Sequence, residues 1–106
     1  MNDTLTPIIW LGDSRDTVRS WPIKAKRRAG EELFRLQLGS EPIHWRTMSS
    51  VGRAVREVKV SEGGQFRIFY LVRRKESIVV LHAFEKKSQR TSNADIELGK
   101  QRLKLI

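Results

Sequence analysis

The side chains able to do chemistry gather in one stretch, Phe66–Thr91 (FRIFYLVRRKESIVVLHAFEKKSQRT), and almost all of them are cationic or neutral. Arg67, Lys86, Lys87 and Arg90 carry charge, His82, Gln89 and Thr91 offer hydrogen bonds, and Tyr70 and Phe84 offer rings; Arg56 lies a little upstream. Metal-assisted hydrolysis draws on converging carboxylates or histidines. Here His44, His82 and Glu85 stand near the region without HExxH or paired-aspartate spacing, so no metal or other cofactor is expected. RNA can be cut without one. Its 2′-OH, once deprotonated, attacks the adjacent phosphate, and the oxyanion that develops is stabilised by Arg or Lys. Losing one such charge is expected to cost ~100-fold in rate, by analogy with removal of an oxyanion donor.

Each of these residues also has a plainer reading. Arg67 sits among aromatics, so it either faces an opening that anions can reach or is paired with Glu57 or Glu85. Lys86 and Lys87 form either a general acid–base pair, if neighbouring cations lower a lysine pKa, or a solvated loop end. His82, alone on an apolar strand, fits a satisfied core residue as well as a ligand contact. Phe84 can stack on a base or belong to the core. Trp10, Trp21 and Trp45 are assigned to core or helix packing. Neither GxxxxGK[ST] nor GxGxxG occurs, which argues against nucleotide hydrolysis.

The elements that must position these groups follow from residue type and periodicity. Residues 66–73 and 78–84 are rich in aromatic and β-branched types on either side of Arg73–Ser77, which predicts a hairpin. Neither arm alternates cleanly, since Phe66, Ile68, Tyr70 and Val72 point one way while Phe69 and Leu71 point the other. Both faces of these strands should therefore be covered. Residues 54–61 predict a half-buried strand with Arg56, Val58 and Val60 on one side and Glu57 and Lys59 on the other. Gly63-Gly64 turns it into Phe66. A short first strand is expected over 8–11, and a loop or ragged strand over His44–Gly52.

Asp13 or Ser14 caps a short helix through Ser20, and Trp21-Pro22 fits the first turn of a longer one that ends at Gly39. Ala25, Ala29, Leu33 and Leu36 share one face, while Lys24–Arg28 reads as a solvated face. Ser92, with Asp95 three residues on, caps a last helix over 93–105. Its apolar residues form two groups, Ala94/Leu98/Leu105 and Ile96/Leu103/Ile106, implying either a second neighbour or a frayed last turn.

Composition sets the outer limits. A chain of 106 residues, 39% hydrophobic, makes one domain spanning 1–106. Its +9 charge calls for a polyanionic or acidic partner, nucleic acid first. The charge is uneven: residues 1–52 hold 8 basic and 6 acidic side chains, and 53–106 hold 13 and 6, giving +2 and +7. The absence of cysteine excludes disulfides and thiolate chemistry and is compatible with a reducing cytoplasm. MNDTLTPIIWLGD shows no secretory leader, and no run approaches membrane-spanning length, so no membrane role is expected.

The strand FRIFY, the strand VVLHAF, the segment EKKSQRT and the amphipathic C-terminal helix together resemble the RelE/ParE-like toxins of bacterial toxin–antitoxin modules. The similarity is greatest to the phage-related HigB-type branch, with its Y/FRxxY … LHxFxKKxxKT pattern. It covers Trp45 to the C-terminus well and the N-terminal half more loosely. The resemblance implies an α+β, RelE-like fold, with an N-terminal helical hairpin on a mainly antiparallel four-stranded sheet and a C-terminal helix. It implies a cytoplasmic, ribosome-dependent and metal-independent mRNA endonuclease that inhibits translation, leaving a 2′,3′-cyclic phosphate. Its partners would be the ribosome, mRNA and a cognate antitoxin, expected to be of helix-turn-helix type. Arg67, Lys86 and Lys87 would be catalytic, and Arg56, His82, Phe84, Gln89, Arg90 and Thr91 would bind RNA. The C-terminal tyrosine used by RelE is missing, and ParE-type relatives inhibit DNA gyrase instead, so gyrase inhibition and non-catalytic RNA binding remain alternatives.

Overall fold

Strands with apolar side chains on both faces need two covering layers, and the chain supplies them from its two ends. The computed structural model describes residues 5–73 and 76–106. Two sequence readings touch residues outside that description: Met1–Thr4, in the segment searched for a leader, and Arg74-Lys75, at the expected hairpin tip.

The strands are β1 (Ile8–Trp10), β2 (Trp45–Thr47), β3 (Arg56–Ser61), β4 (Gln65–Arg73) and β5 (Ser77–Glu85), in the spatial order β1-β5-β4-β3-β2. β1 runs parallel to β5 and the other pairings are antiparallel. The α+β class is as expected, but the four-stranded count is corrected to a five-stranded mixed sheet. The extra strand is β2, in the stretch read as a loop or ragged strand; three residues are too few to display alternation, and pairing Trp45↔Val58 through Thr47↔Arg56 defines them. Strand β3 begins at Arg56 rather than 54. Its Glu57 and Val58, on opposite faces, are both fully buried, so it is covered more completely than the half-buried strand expected.

Helices α1 (Ser14–Ser20) and α2 (Ile23–Gln37) form the hairpin over one face. Val18, Trp21, Ala25, Ala29, Leu33 and Leu36 pack there on Val58, Val60, Phe66, Ile68, Tyr70, Ile78 and Val80. Pro22 is the N-cap of α2 rather than a residue of its first turn, and the Ser20 hydroxyl donates back to Thr17 O at 2.6 Å. At the other end Gly39, at φ +86°, lets its N–H reach Leu36 O and the Ser40 N–H reach Arg35 O, closing a Schellman turn.

The opposite face is covered by α3 (Asn93–Leu103) and the loop before β3. Met48, Val51, Val55, Phe69, Leu71, Val79, Leu81 and Phe84 form that core, with Ile96 and Leu103 against it. Ser92 caps α3 as its spacing predicts, accepting from the Asp95 N–H at 3.1 Å and donating to Asp95 Oδ2 at 2.6 Å. The helix stops at Leu103, so Leu105 and Ile106 are exposed tail residues rather than parts of two helical faces. Gly99 is where α3 approaches most closely: a Cβ there would lie 3.0 Å from both Phe69 and Val51.

One irregularity redirects the second hairpin arm. Phe69 pairs with His82 but Tyr70 with Val80, so Leu81 is an extra residue in β5. The bulge leaves Leu81 and His82 both on the α3 side.

Tyr70, the chain's single tyrosine, is fully buried on the α2 side and its hydroxyl has no hydrogen-bond partner. Burial, opposed by the nearby Arg56 charge, pushes its pKa up from 10.0 to about 12. Between those values the unfolded chain gives up the phenolic proton while the folded chain keeps it. Stability is therefore expected to fall as pH rises through this window, by on the order of 2–3 kcal/mol in all. Ultraviolet titration of the single phenol should show a midpoint near 12, and Tyr70→Phe should remove that part of the alkaline destabilisation.

Candidate nucleic-acid interface

Cross-strand partners share a face, so pairing decides which charges meet. Arg67 lies opposite Lys59 on β3 and Phe84 on β5, and Glu57 lies opposite Phe69 on β4 and Arg46 on β2. All of these therefore occupy the α3 side. On that side Gln65, Arg67, Lys86, Lys87, Ser88 and Gln89 line a shallow, open depression of about 460 Å³. The Lys86 N–H donates to Gln65 O at 2.6 Å, extending the β4–β5 ladder into the EKKSQRT segment and fixing where that lysine begins.

Arg67 is the centre of this corner. Its side chain is 8% exposed. Nη1 donates to Phe66 O at 2.9 Å, and Nε lies 3.6 Å from Glu57 Oε1 without a hydrogen bond. The outer edge of the guanidinium meets only weak contacts, Gln65 Oε1 at 3.4 and 3.5 Å. A phosphate oxygen arriving there would displace an exposed amide and find a fork already oriented. Burial lowers the Arg67 pKa, with Glu57 opposing; an arginine nevertheless stays charged.

Lys86 is half-buried beside it, and its pKa is lowered, first by burial and then by the charges of Arg67 and Arg46. Such a lysine gives up a proton more readily than a free one. Lys87 and Gln89 are exposed on the same rim, and Arg90 is exposed just beyond it. Thr91 Oγ1 accepts a long hydrogen bond from Arg46 Nη2 at 3.5 Å.

Three of the expected RNA-binding residues stand apart from this corner. Arg56 is on the α2 side, opposite Tyr70, where Glu41 holds it at 2.9 Å and its guanidinium lies 4.3 Å above the Trp45 ring. It lines a larger cavity of about 490 Å³ with Leu36, Val55 and Val72, but its charge is already answered there. His82 is buried, its Nε2 2.7 Å from Asp95 Oδ1 and its Nδ1 3.5 Å from Arg102 Nη1. Arg102 in turn donates to Leu81 O at 3.0 Å and Asp13 Oδ1 at 2.8 Å, so the histidine is part of a clasp holding α3 to β5. Phe84 is buried too, stacked on His82 at 5.1 Å and edge-on to Phe69 at 5.1 Å.

The structure also brings in residues that sequence reasoning did not place at the site. Arg46, Lys59 and Gln65 border the cluster, together with Glu57, which the plainer reading of Arg67 offers as its partner and which lies 3.6 Å from Arg67 Nε. The shared parity of Glu57 and Lys59 was readable, whereas nothing in the three residues of β2 announced Arg46. Among the described residues no three His, Asp or Glu side chains form a metal-binding group, and no helix is long and apolar enough to cross a membrane.

Comparison with protein families matches residues 16–104 to the family described as Phage derived protein Gp49-like (DUF891). Comparison with curated proteins gives no match.

Proposed function

Because the chain belongs to the Gp49-like family of phage-derived proteins, a family within the RelE/HigB-type toxin superfamily and associated with toxin–antitoxin modules, we propose that it is a toxin that cleaves mRNA on the translating ribosome without metal. The observation that carries this reading is the convergence of Arg67, its outer edge met only by long contacts to Gln65 Oε1, with a half-buried Lys86 of lowered pKa on one depression. Arg67 binds the non-bridging oxygens of the scissile phosphate and stabilises the charge that grows on them. Lys86, in its neutral form, takes the 2′-OH proton; the 2′ oxygen bonds to phosphorus as the 5′ oxygen leaves, and Lys87 on the rim protonates the leaving group. The products are a 2′,3′-cyclic phosphate and a 5′-OH. Gln89, Arg90 and Thr91 extend the cationic rim along the RNA. The ribosome as target puts the site of action in the cytoplasm. The antitoxin, of helix-turn-helix type, neutralises by covering the same corner with an acidic segment.

In vitro translation followed by primer extension tests this. Wild type should make discrete cuts in ribosome-bound message. Lys86→Ala is expected to lose more activity than Lys87→Ala, because Lys86 is packed beside Arg67 while Lys87 is exposed. Intact message together with arrested DNA replication would replace this reading with gyrase inhibition. Binding that weakens gradually with salt, without cuts, would point to a plain RNA binder.

A further inference from the structure

Glu57 is a fully buried carboxylate on a strand whose cross-strand neighbour is Phe69, in the second core. An apolar residue would complete that surface without the desolvation a carboxylate suffers. What the carboxylate provides instead is a grip on two arginines through the same atom. Glu57 Oε1 accepts from Arg46 Nε at 2.8 Å and lies 3.6 Å from Arg67 Nε. Contact at Nε leaves the terminal nitrogens clear of the carboxylate, with Arg67 Nη1 also donating to Phe66 O at 2.9 Å. Arg46 Nη2 reaches Thr91, and the Arg67 Nη groups reach Gln65. The second oxygen, Oε2, has no hydrogen-bond partner. Arg46, Lys59, Arg67 and Lys86 crowd around this one negative charge: the positive charges of Arg46, Arg67 and Lys59 act on Lys86, and that of Glu57 opposes them.

We infer that Glu57 is a positioning residue that aims Arg46 and Arg67 at the RNA phosphate and offsets part of their charge, so that the cluster holds the ground state loosely and the transition state in register. Being buried, it touches no substrate and takes no proton from it. Arg46 thereby becomes a second phosphate contact, 43% exposed beside the 86–91 segment. The rate part of this inference rests on the nuclease reading; the orientation part does not.

Glu57→Gln is nearly isosteric, and its amide nitrogen can replace Oε2, which no donor faces. Removing the charge while keeping the shape should lower the cleavage rate at saturating programmed ribosomes by about tenfold to a hundredfold, as expected for small misplacements of reacting groups. KM should stay the same or fall, because the cluster is then more positive. Glu57→Asp, which keeps the charge but withdraws the carboxylate, should lose rate with no fall in KM. In NMR spectra the Nε–H signals of Arg46 and Arg67 should stand apart from those of free arginines in wild type and move towards them in Glu57→Gln. Titration with inorganic phosphate should perturb both signals in wild type. A Glu57→Gln protein that cleaves at the wild-type rate with unmoved Nε–H signals would overturn the inference. So would a loss of rate explained wholly by the unfolded fraction in a thermal melt. If wild type makes no cuts, the nuclease reading fails; unmoved Nε–H signals in Glu57→Gln would then overturn the positioning role, and moved signals with tighter phosphate binding would uphold it.

Discussion

Arg67→Ala is expected to reduce cleavage of ribosome-bound mRNA by roughly 100- to 1000-fold, the range for loss of one donor to a developing oxyanion. The loss should fall on the rate at saturation more than on KM. Arg46, Lys59, Lys86 and Lys87 still attract RNA, whereas the oriented fork beside Lys86 is gone. Arg67→Lys separates charge from geometry. It keeps a cation near Glu57 but has no Nη pair to meet two phosphate oxygens, so it should recover only a small part of the rate. Both proteins should remain folded, since Arg46 still donates to the buried Glu57 at 2.8 Å. Single-turnover cleavage and a thermal melt of each variant check this pair of outcomes. Wild-type cleavage by Arg67→Ala would remove the centre of the proposed site.

The largest effect on stability is expected at Phe69. It is fully buried, edge-on to Phe84 at 5.1 Å, 6.0 Å from the His82 ring, and beneath the point where Gly99 brings α3 onto the sheet. Phe69→Ala opens a cavity at the joint between β4, β5 and α3 and should cost about 3–5 kcal/mol. Domains of this size hold about 5–15 kcal/mol in total. The melting temperature should therefore fall by roughly 12–40 °C, taking about 4–8 °C per kcal/mol. Val72→Ala on the same strand is the control: Val72 is 45% exposed, and the change should stay within about 0.5 kcal/mol. Chemical denaturation of both variants gives the comparison. A small loss at Phe69 would mean that α3 is held chiefly by its polar clasp, in which Asp95 meets His82 and Arg102 meets Asp13 and Leu81.

The sequence by itself determined what depends on local spacing. The helical stripe Ala25, Ala29, Leu33 and Leu36, the Gly39 stop, the Ser92 cap and the two-sided hairpin are all written in near neighbours, where a period of 3.6 or 2 suffices. The proximity of Arg67 to Lys86 and Lys87 was also within reach, since a hairpin brings the start of one arm to the end of the next. Only the tertiary structure decided how separate strands line up. Alternation tells which residues of one strand share a face but not which partner strand they meet or in what register. That is why Arg56 and Arg67, both basic residues on neighbouring strands, end on opposite faces, and why Arg46 comes to lie on Glu57 from a strand too short to read. The single-residue bulge at Leu81 has the same character. It turns His82 under α3 and onto Asp95, because an extra residue in β5 matters only once β4 is laid beside it.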